Sequence, residues 1–128
     1  MIRRFGLAAV ILLFTAFGAS AGGVKPYEAG AFSDALAAGK TVLVHVHAEW
    51  CPVCRKQQPA IQSLSEDGAL SDVVFLQVNF DKDRDFLTKY KVPSQSAIIV
   101  FKDGKEVARL NGVTDAGKIQ SQVKAAIG

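Results

Sequence analysis

Three short runs of apolar and β-branched residues constrain the fold of this chain more than any other feature. They occupy residues 41–47, 73–80 and 97–101. Runs of this composition are typical of strands that are buried on both faces of a sheet. After the third run, residues 102–105 carry the Asp-Gly signal of a hairpin, and residues 106–110 alternate as the returning edge strand.

Apolar residues at helical spacing mark the segments around these strands. The predicted helices cover 26–38, 52–66 with Pro59 as a kink, 84–90, and a last helix from a cap at Thr114 or Asp115 to residue 127. The resulting order is α-β-α-β-α-β-β-α. It begins with crossover units and closes with an antiparallel hairpin, so we predict an α/β fold with a mixed central sheet flanked by helices.

The first 21 residues have the pattern of a secretory signal peptide rather than of the fold. Arg3 and Arg4 precede an apolar run at 5–17, and Ala19 and Ala21 form the small pair of a cleavage site. A retained membrane anchor is the alternative, although the run is short for a bilayer. We therefore expect a leader at 1–21, one domain at 22–128, and export across the inner membrane into a periplasmic compartment where disulfides persist.

Length and charge exclude several classes of function. A chain of 128 residues allows one domain of ordinary size. The formal net charge is only +3, with no basic run beyond the two arginines near the start, so nucleic-acid binding through a basic stripe is not expected. Two cysteines are too few for a disulfide-rich scaffold.

The cysteines, Cys51 and Cys54, lie between the first predicted strand and the following helix. Their spacing suits a redox-active disulfide, half of a zinc site or a plain structural disulfide. No second Cys or His pair follows residue 54 in the sequence to complete a zinc site. A ring this small constrains little of the unfolded chain. The sequence therefore favours a redox pair.

The helix start gives the two sulfurs different roles. Unpaired N–H groups and the positive end of the helix dipole favour a thiolate at Cys51, which we expect to be the nucleophile. Cys54, one turn later, is expected to resolve the mixed disulfide. Pro52 suits the first helical position because it has no N–H to leave unpaired. Trp50 either forms a flat apolar wall beside the nucleophile or packs in the core.

Several short motifs resemble the thioredoxin family, and the resemblance covers nearly all of residues 25–128. They are Ala48-Glu49-Trp50-Cys51-Pro52-Val53-Cys54-Arg55, Pro59, Val78-Asn79-Phe80-Asp81, Phe101-Lys102-Asp103-Gly104 and Gly112. The resemblance implies a thioredoxin fold and dithiol–disulfide exchange with protein substrates, carried by Cys51 and Cys54, without a cofactor.

Two positions depart from the family pattern. His45 stands where thioredoxins carry a buried Asp, and Gln77 replaces the usual Lys companion. His45 is either a proton relay to Cys54 or a hydrogen-bonded core histidine. Counting along the chain places Ser96 where the family has its cis-proline, with Pro93 three residues earlier as the alternative. We expect Gln95 and Ser96, with Trp50 and Pro52, to contact substrate, and a trans peptide at Ser96.

Three functions are compatible with these features. The first is an exported thiol–disulfide oxidoreductase, a reductase rather than an oxidase, which would take electrons from a membrane thiol transporter and contact the membrane only through an uncleaved leader. The second is a Cu or Zn binding or delivery protein that uses Cys51, Cys54 and one of His45 or His47. The third is a binding module with an idle disulfide.

Overall fold

The computed structural model describes residues 23–128, so the leader predicted at 1–21 lies outside the described residues. The elements in chain order are β1 Lys25–Pro26, α1 Ala29–Ala37, β2 Val42–His47, α2 Pro52–Ser65, β3 Val74–Asn79, α3 Arg84–Lys89, β4 Ala97–Lys102, β5 Lys105–Asn111 and α4 Ala116–Ile127. A short 3₁₀ turn follows α2 at Gly68–Leu70. Within 23–128, no helix is long and apolar enough to span a membrane.

The predicted α/β order is confirmed, with one strand in addition. β1 is two residues long and pairs with β3 in parallel. A pair containing lysine and proline has no apolar alternation, so no sequence pattern marks it as a strand. The hairpin between β4 and β5 turns at Asp103 and Gly104, whose φ angles of 52° and 77° are the positive values that a tight two-residue turn requires.

The mixed sheet has the strand order β1-β3-β2-β4-β5. β2 is the central strand, parallel to β3 and antiparallel to β4. All six of its residues are buried, because both of its edges are paired and both of its faces are covered. The first cysteine follows directly beyond the carboxyl end of this strand.

The two faces of the sheet have different cores. One face, covered by α1 and α3, packs aromatic rings with centroids 4.8–6.4 Å apart: Tyr27, Phe32, Phe86, Tyr90 and Phe101. The other face, covered by α2 and α4, is aliphatic and includes Leu43 of β2. Side chains alternate along a strand, so His45 and His47 point to the same face as Leu43, toward α2.

Candidate active site

Cys51 caps the start of α2. Its backbone is extended, with φ −94° and ψ 109°, and its Sγ accepts the Cys54 N–H at 3.1 Å. A sulfur that accepts a helix-end N–H replaces the oxygen of an ordinary N-cap and satisfies one of the unpaired donors there. Pro52 is the first helical residue, as the sequence predicted, and its side chain is exposed.

Ser96 joins the two sulfurs. Its Oγ lies 3.3 Å from Cys51 Sγ and 3.2 Å from Cys54 Sγ, and both cysteines are unpaired and buried. Pro93 is exposed three residues earlier, so the structure places Ser96, and not Pro93, against Cys51. No peptide bond within 23–128 is cis.

The backbone of Ser96 is held in an uncommon conformation. Its φ is 72°, a left-handed value that a residue with a Cβ seldom adopts. The Ser96 N–H donates to Val46 O and its carbonyl accepts the Gly112 N–H, both at 2.9 Å. These two bonds connect the loop to β2 and to the residue after β5, and together they aim the hydroxyl at the sulfurs.

The pKa values of the two thiols are shifted in opposite directions. Burial alone would raise the pKa of Cys51, but hydrogen bonds from the Cys54 thiol, the Ser96 hydroxyl, the Cys54 N–H and the Gln95 side chain outweigh it and lower that pKa. Burial raises the pKa of Cys54, and its hydrogen bond to Cys51 raises it further. Cys51 is therefore the thiol that ionises first as the pH rises, and Cys54 keeps its proton to higher pH.

Gln57 connects the helix, the central strand and the Ser96 loop. Its Nε2 donates to Ser96 O and Val113 O, both at 3.0 Å, and its Oε1 lies 2.9 Å from His45 Nε2. Carbonyl oxygens only accept, so the amide orientation is fixed and Oε1 must accept from His45 Nε2–H. Sequence reasoning missed Gln57. The signal was a polar residue on the apolar stripe of α2, between Cys54 and Ile61.

His45 is a neutral core histidine at ordinary pH. Burial lowers its pKa to about 4, although the hydrogen bond to Gln57 acts in the opposite direction. Cys54 Sγ contacts Ser96 Oγ and, at 3.8 Å, Val46 O, rather than the imidazole. The proton-relay role stays a prediction, and the low pKa together with the missing contact weighs against it.

His47 lies beside His45, with ring centroids 5.5 Å apart. Its Nε2 is 3.5 Å from the carboxylate of the exposed Glu49, and its buried Nδ1 has no hydrogen-bond partner among residues 23–128. One donor atom from each of His45, His47 and Cys54 lies within 4.8 Å of the others. The sequence suggested both cysteines with one histidine as metal ligands, whereas the structure groups both histidines with Cys54 alone.

Trp50 is a surface residue, with 55% of it exposed. Its Nε1 donates to Asp81 Oδ2 at 2.9 Å, and its ring meets the edge of Phe80 with centroids 6.4 Å apart. Trp50 therefore does not pack in the core, and the flat wall beside Cys51 stays the prediction for it. Asp81, which fixes the indole, was noted in the sequence only as part of a motif.

Comparison with known proteins agrees with this geometry. The family model described as Thioredoxin matches residues 23–125. The chain belongs to the thioredoxin family. It is 38% identical over 84 residues to thioredoxin of Chlamydia trachomatis, covering 66% of this chain and 79% of that protein. It is also 34% identical over 88 residues to Thioredoxin-1 of Saccharomyces cerevisiae, covering 69% and 84%.

Solved thioredoxin structures resemble the fold closely. Trxlp from Edwardsiella tarda matches with a TM-score of 0.75 at 37% identity, covering 78% of this chain and 97% of that chain. The Malassezia sympodialis thioredoxin matches with a TM-score of 0.75 at 21% identity, covering 84% and 93%, which shows the fold alone. As a thioredoxin-family member the chain is a thiol–disulfide oxidoreductase with Cys51 and Cys54 as its CxxC pair, and the family acts on protein thiols and disulfides.

Proposed function

We propose that this protein is an exported thioredoxin-like reductase of protein disulfides, which cycles Cys51 and Cys54 between dithiol and disulfide. The observation that carries the proposal is the opposite tuning of the two thiols, with the pKa of Cys51 lowered and the pKa of Cys54 raised. A nucleophile that is ionised first, beside a second thiol that keeps its proton, suits two ordered exchange steps.

In the first step the Cys51 thiolate attacks one sulfur of a substrate disulfide, forms a mixed disulfide and releases one substrate thiolate. Cys54 then loses its proton and attacks Cys51 Sγ, which releases the second substrate thiolate. Two electrons pass to the substrate, whose two sulfurs take up protons, and the protein is left with a Cys51–Cys54 disulfide. Ser96 Oγ contacts both sulfurs, so its hydroxyl can donate to whichever one is anionic.

The substrate surface in this proposal surrounds Cys51. Trp50 and Pro52, its neighbours in the chain, are exposed, and Gln95 and the buried Ser96 hydrogen-bond to its sulfur. Trp50 is held by Asp81, so it offers a rigid apolar face at little entropic cost. Because Ser96 has its own backbone conformation, the loop offers a substrate chain a different edge from the family's cis-proline.

Export and the direction of electron flow rest on the sequence. The basic, apolar and small-residue order of 1–21 supports a cleaved leader and a periplasmic location. The Glu-Trp-Cys context and the single domain without a helical insertion between 23 and 128 support reduction. An exported reductase has no access to the cytosolic NADPH system, so a membrane thiol transporter would supply its electrons.

The reduction potential tests this function. Equilibration with glutathione redox buffers should give a value toward the reducing end of the family range, about −270 mV, whereas about −120 mV would identify an oxidase. Insulin reduction with a chemical electron donor should accompany it, with Cys51→Ser as the inactive control. The cleavage site is checked separately by the N-terminal sequence of protein recovered from a periplasmic extract.

A further inference from the structure

The two histidines of β2 share an arrangement that the exchange reaction does not use. His45 Nε2–H is held by Gln57 Oε1 at 2.9 Å, and His47 Nε2 faces the Glu49 carboxylate at 3.5 Å. Nε2 of each ring therefore faces a group other than Cys54: a hydrogen-bonded amide oxygen for His45 and a carboxylate at contact distance for His47. Such partners are what metal-bound imidazoles usually have, because they fix the tautomer and leave the other nitrogen with a free lone pair.

The other ring nitrogen of His47, Nδ1, has no such partner. His47 is 3% exposed, and its Nδ1 is buried and makes no hydrogen bond within the described part of the chain. A buried polar atom without a partner costs free energy, so it needs an explanation. Cys54 is fully buried nearby, and one donor atom from each of His45, His47 and Cys54 lies within 4.8 Å of the others.

We propose that His45, His47 and Cys54 form a binding site for one Cu(I) ion. A thiolate and imidazoles are the ligands that Cu(I) and Zn²⁺ prefer. Structural zinc sites have four ligands, whereas this group holds three. Cu(I) with one thiolate is also neutral overall, whereas Zn²⁺ would leave a net positive charge in a buried place.

The three donor atoms must move closer together to bind one metal ion. Metal bonds of about 2.0–2.3 Å place neighbouring donors roughly 3.5–4 Å apart, so the three donors must approach by about 1 Å. Binding would displace the proton of Cys54 to solvent and form one Cu–S and two Cu–N bonds, without a change of oxidation state. Cys51 takes no part. Copper would therefore occupy the resolving sulfur and block the second exchange step.

The test is an anaerobic titration of the reduced protein with Cu(I), in competition with a chromophoric Cu(I) chelator. We expect one copper per chain. Cys54→Ser should abolish the binding, and His47→Gln should weaken it by at least about tenfold. Cys51→Ser is the matched control and should bind within about threefold of the unaltered protein, because its sulfur is outside the site.

Two results would overturn the site. If Cys51→Ser loses copper as completely as Cys54→Ser, the dithiol alone captures the metal; if His47→Gln binds as tightly as the unaltered protein, the imidazole is not a ligand. X-ray absorption of the copper-loaded, unaltered protein checks the same point without a substitution, since it should count one sulfur and two nitrogens. Metal-free His47→Gln should still reduce insulin, so failure of the copper site and failure of the reductase function are separate outcomes.

Discussion

Cys51 and Cys54 are three residues apart, both are buried and both contact the Ser96 hydroxyl, yet the rest of their surroundings differs. We call Cys51, the exposed Trp50 beside it and the Ser96 hydroxyl the outer part of the site, and Cys51 also caps a helix. Cys54 belongs to the inner part, among His45, His47 and Gln57, where every side chain is buried. We therefore expect the same thiol group to act as a nucleophile in one place and to keep its proton in the other. Neighbours, not the CxxC spacing, create this division of labour.

Replacing each cysteine in turn should have the largest effect and should show how the two thiols differ. Cys51→Ser should reduce insulin turnover by more than about 100-fold, because no thiolate forms where substrate arrives. Cys54→Ser should also stop turnover but accumulate a mixed disulfide with substrate, since the resolving attack is lost. Mass spectrometry of the quenched reaction distinguishes them. A trapped adduct on Cys51→Ser, formed through Cys54, would contradict the assigned order of attack.

The inner part should make stability depend on pH. His45 has a pKa of about 4 when folded, below the ordinary 6.5, so between these values the unfolded chain binds a proton that the folded chain does not. The stabilisation is present above pH 6.5 and is lost as the pH falls to about 4, by about 3 kcal/mol.

Urea unfolding of the reduced protein at several pH values measures this effect. His45→Asn is the comparison, because asparagine does not titrate in this range. Carboxylates titrate in both proteins, so the difference between the two pH profiles isolates the imidazole. Parallel profiles would show that His45 is protonated equally in both states.

The outer part should respond to Ser96 in a smaller way. Ser96→Ala removes a hydroxyl that donates to the Cys51 thiolate, so the pKa of Cys51 should rise and alkylation at neutral pH should slow by roughly three- to tenfold. The pH profile of iodoacetamide labelling measures it. Ser96→Gly, which also lacks the hydroxyl but suits the positive φ, should slow alkylation to the same extent, so that backbone strain is not the cause. An unchanged profile for Ser96→Ala would mean that the Cys54 N–H and thiol alone stabilise the anion.

Local patterns in the sequence predicted most of the fold and the chemical centre. The three apolar runs became β2, β3 and β4, and Asp103-Gly104 became the turn between β4 and β5. The roles expected for Cys51 and Cys54 rest on a helix start, and the structure has that start at Pro52. In each of these cases a short local pattern, an apolar run, a turn pair or a helix start, is enough to make the prediction.

What the sequence did not reveal depends on contacts between distant residues. Gln57 is 39 residues from Ser96 and 56 from Val113, and only the folded chain brings those carbonyls to one amide. The same holds for the histidines: alternation predicts that they share a face, but not that Cys54 completes a group with both of them. β1 was missed for a simpler reason. Lys25 and Pro26 form a strand because they pair with β3, and their own sequence has no strand pattern.

The backbone of Ser96 also limits the protein's evolutionary routes. Proline holds φ near about −65° and has no N–H, whereas position 96 has a φ of 72° and donates its N–H to Val46. A Ser96→Pro substitution would therefore lose the hydrogen bond to Val46 and would not fit the present φ. Serine, glycine and asparagine suit this backbone, so these are the residues expected wherever the loop keeps its conformation.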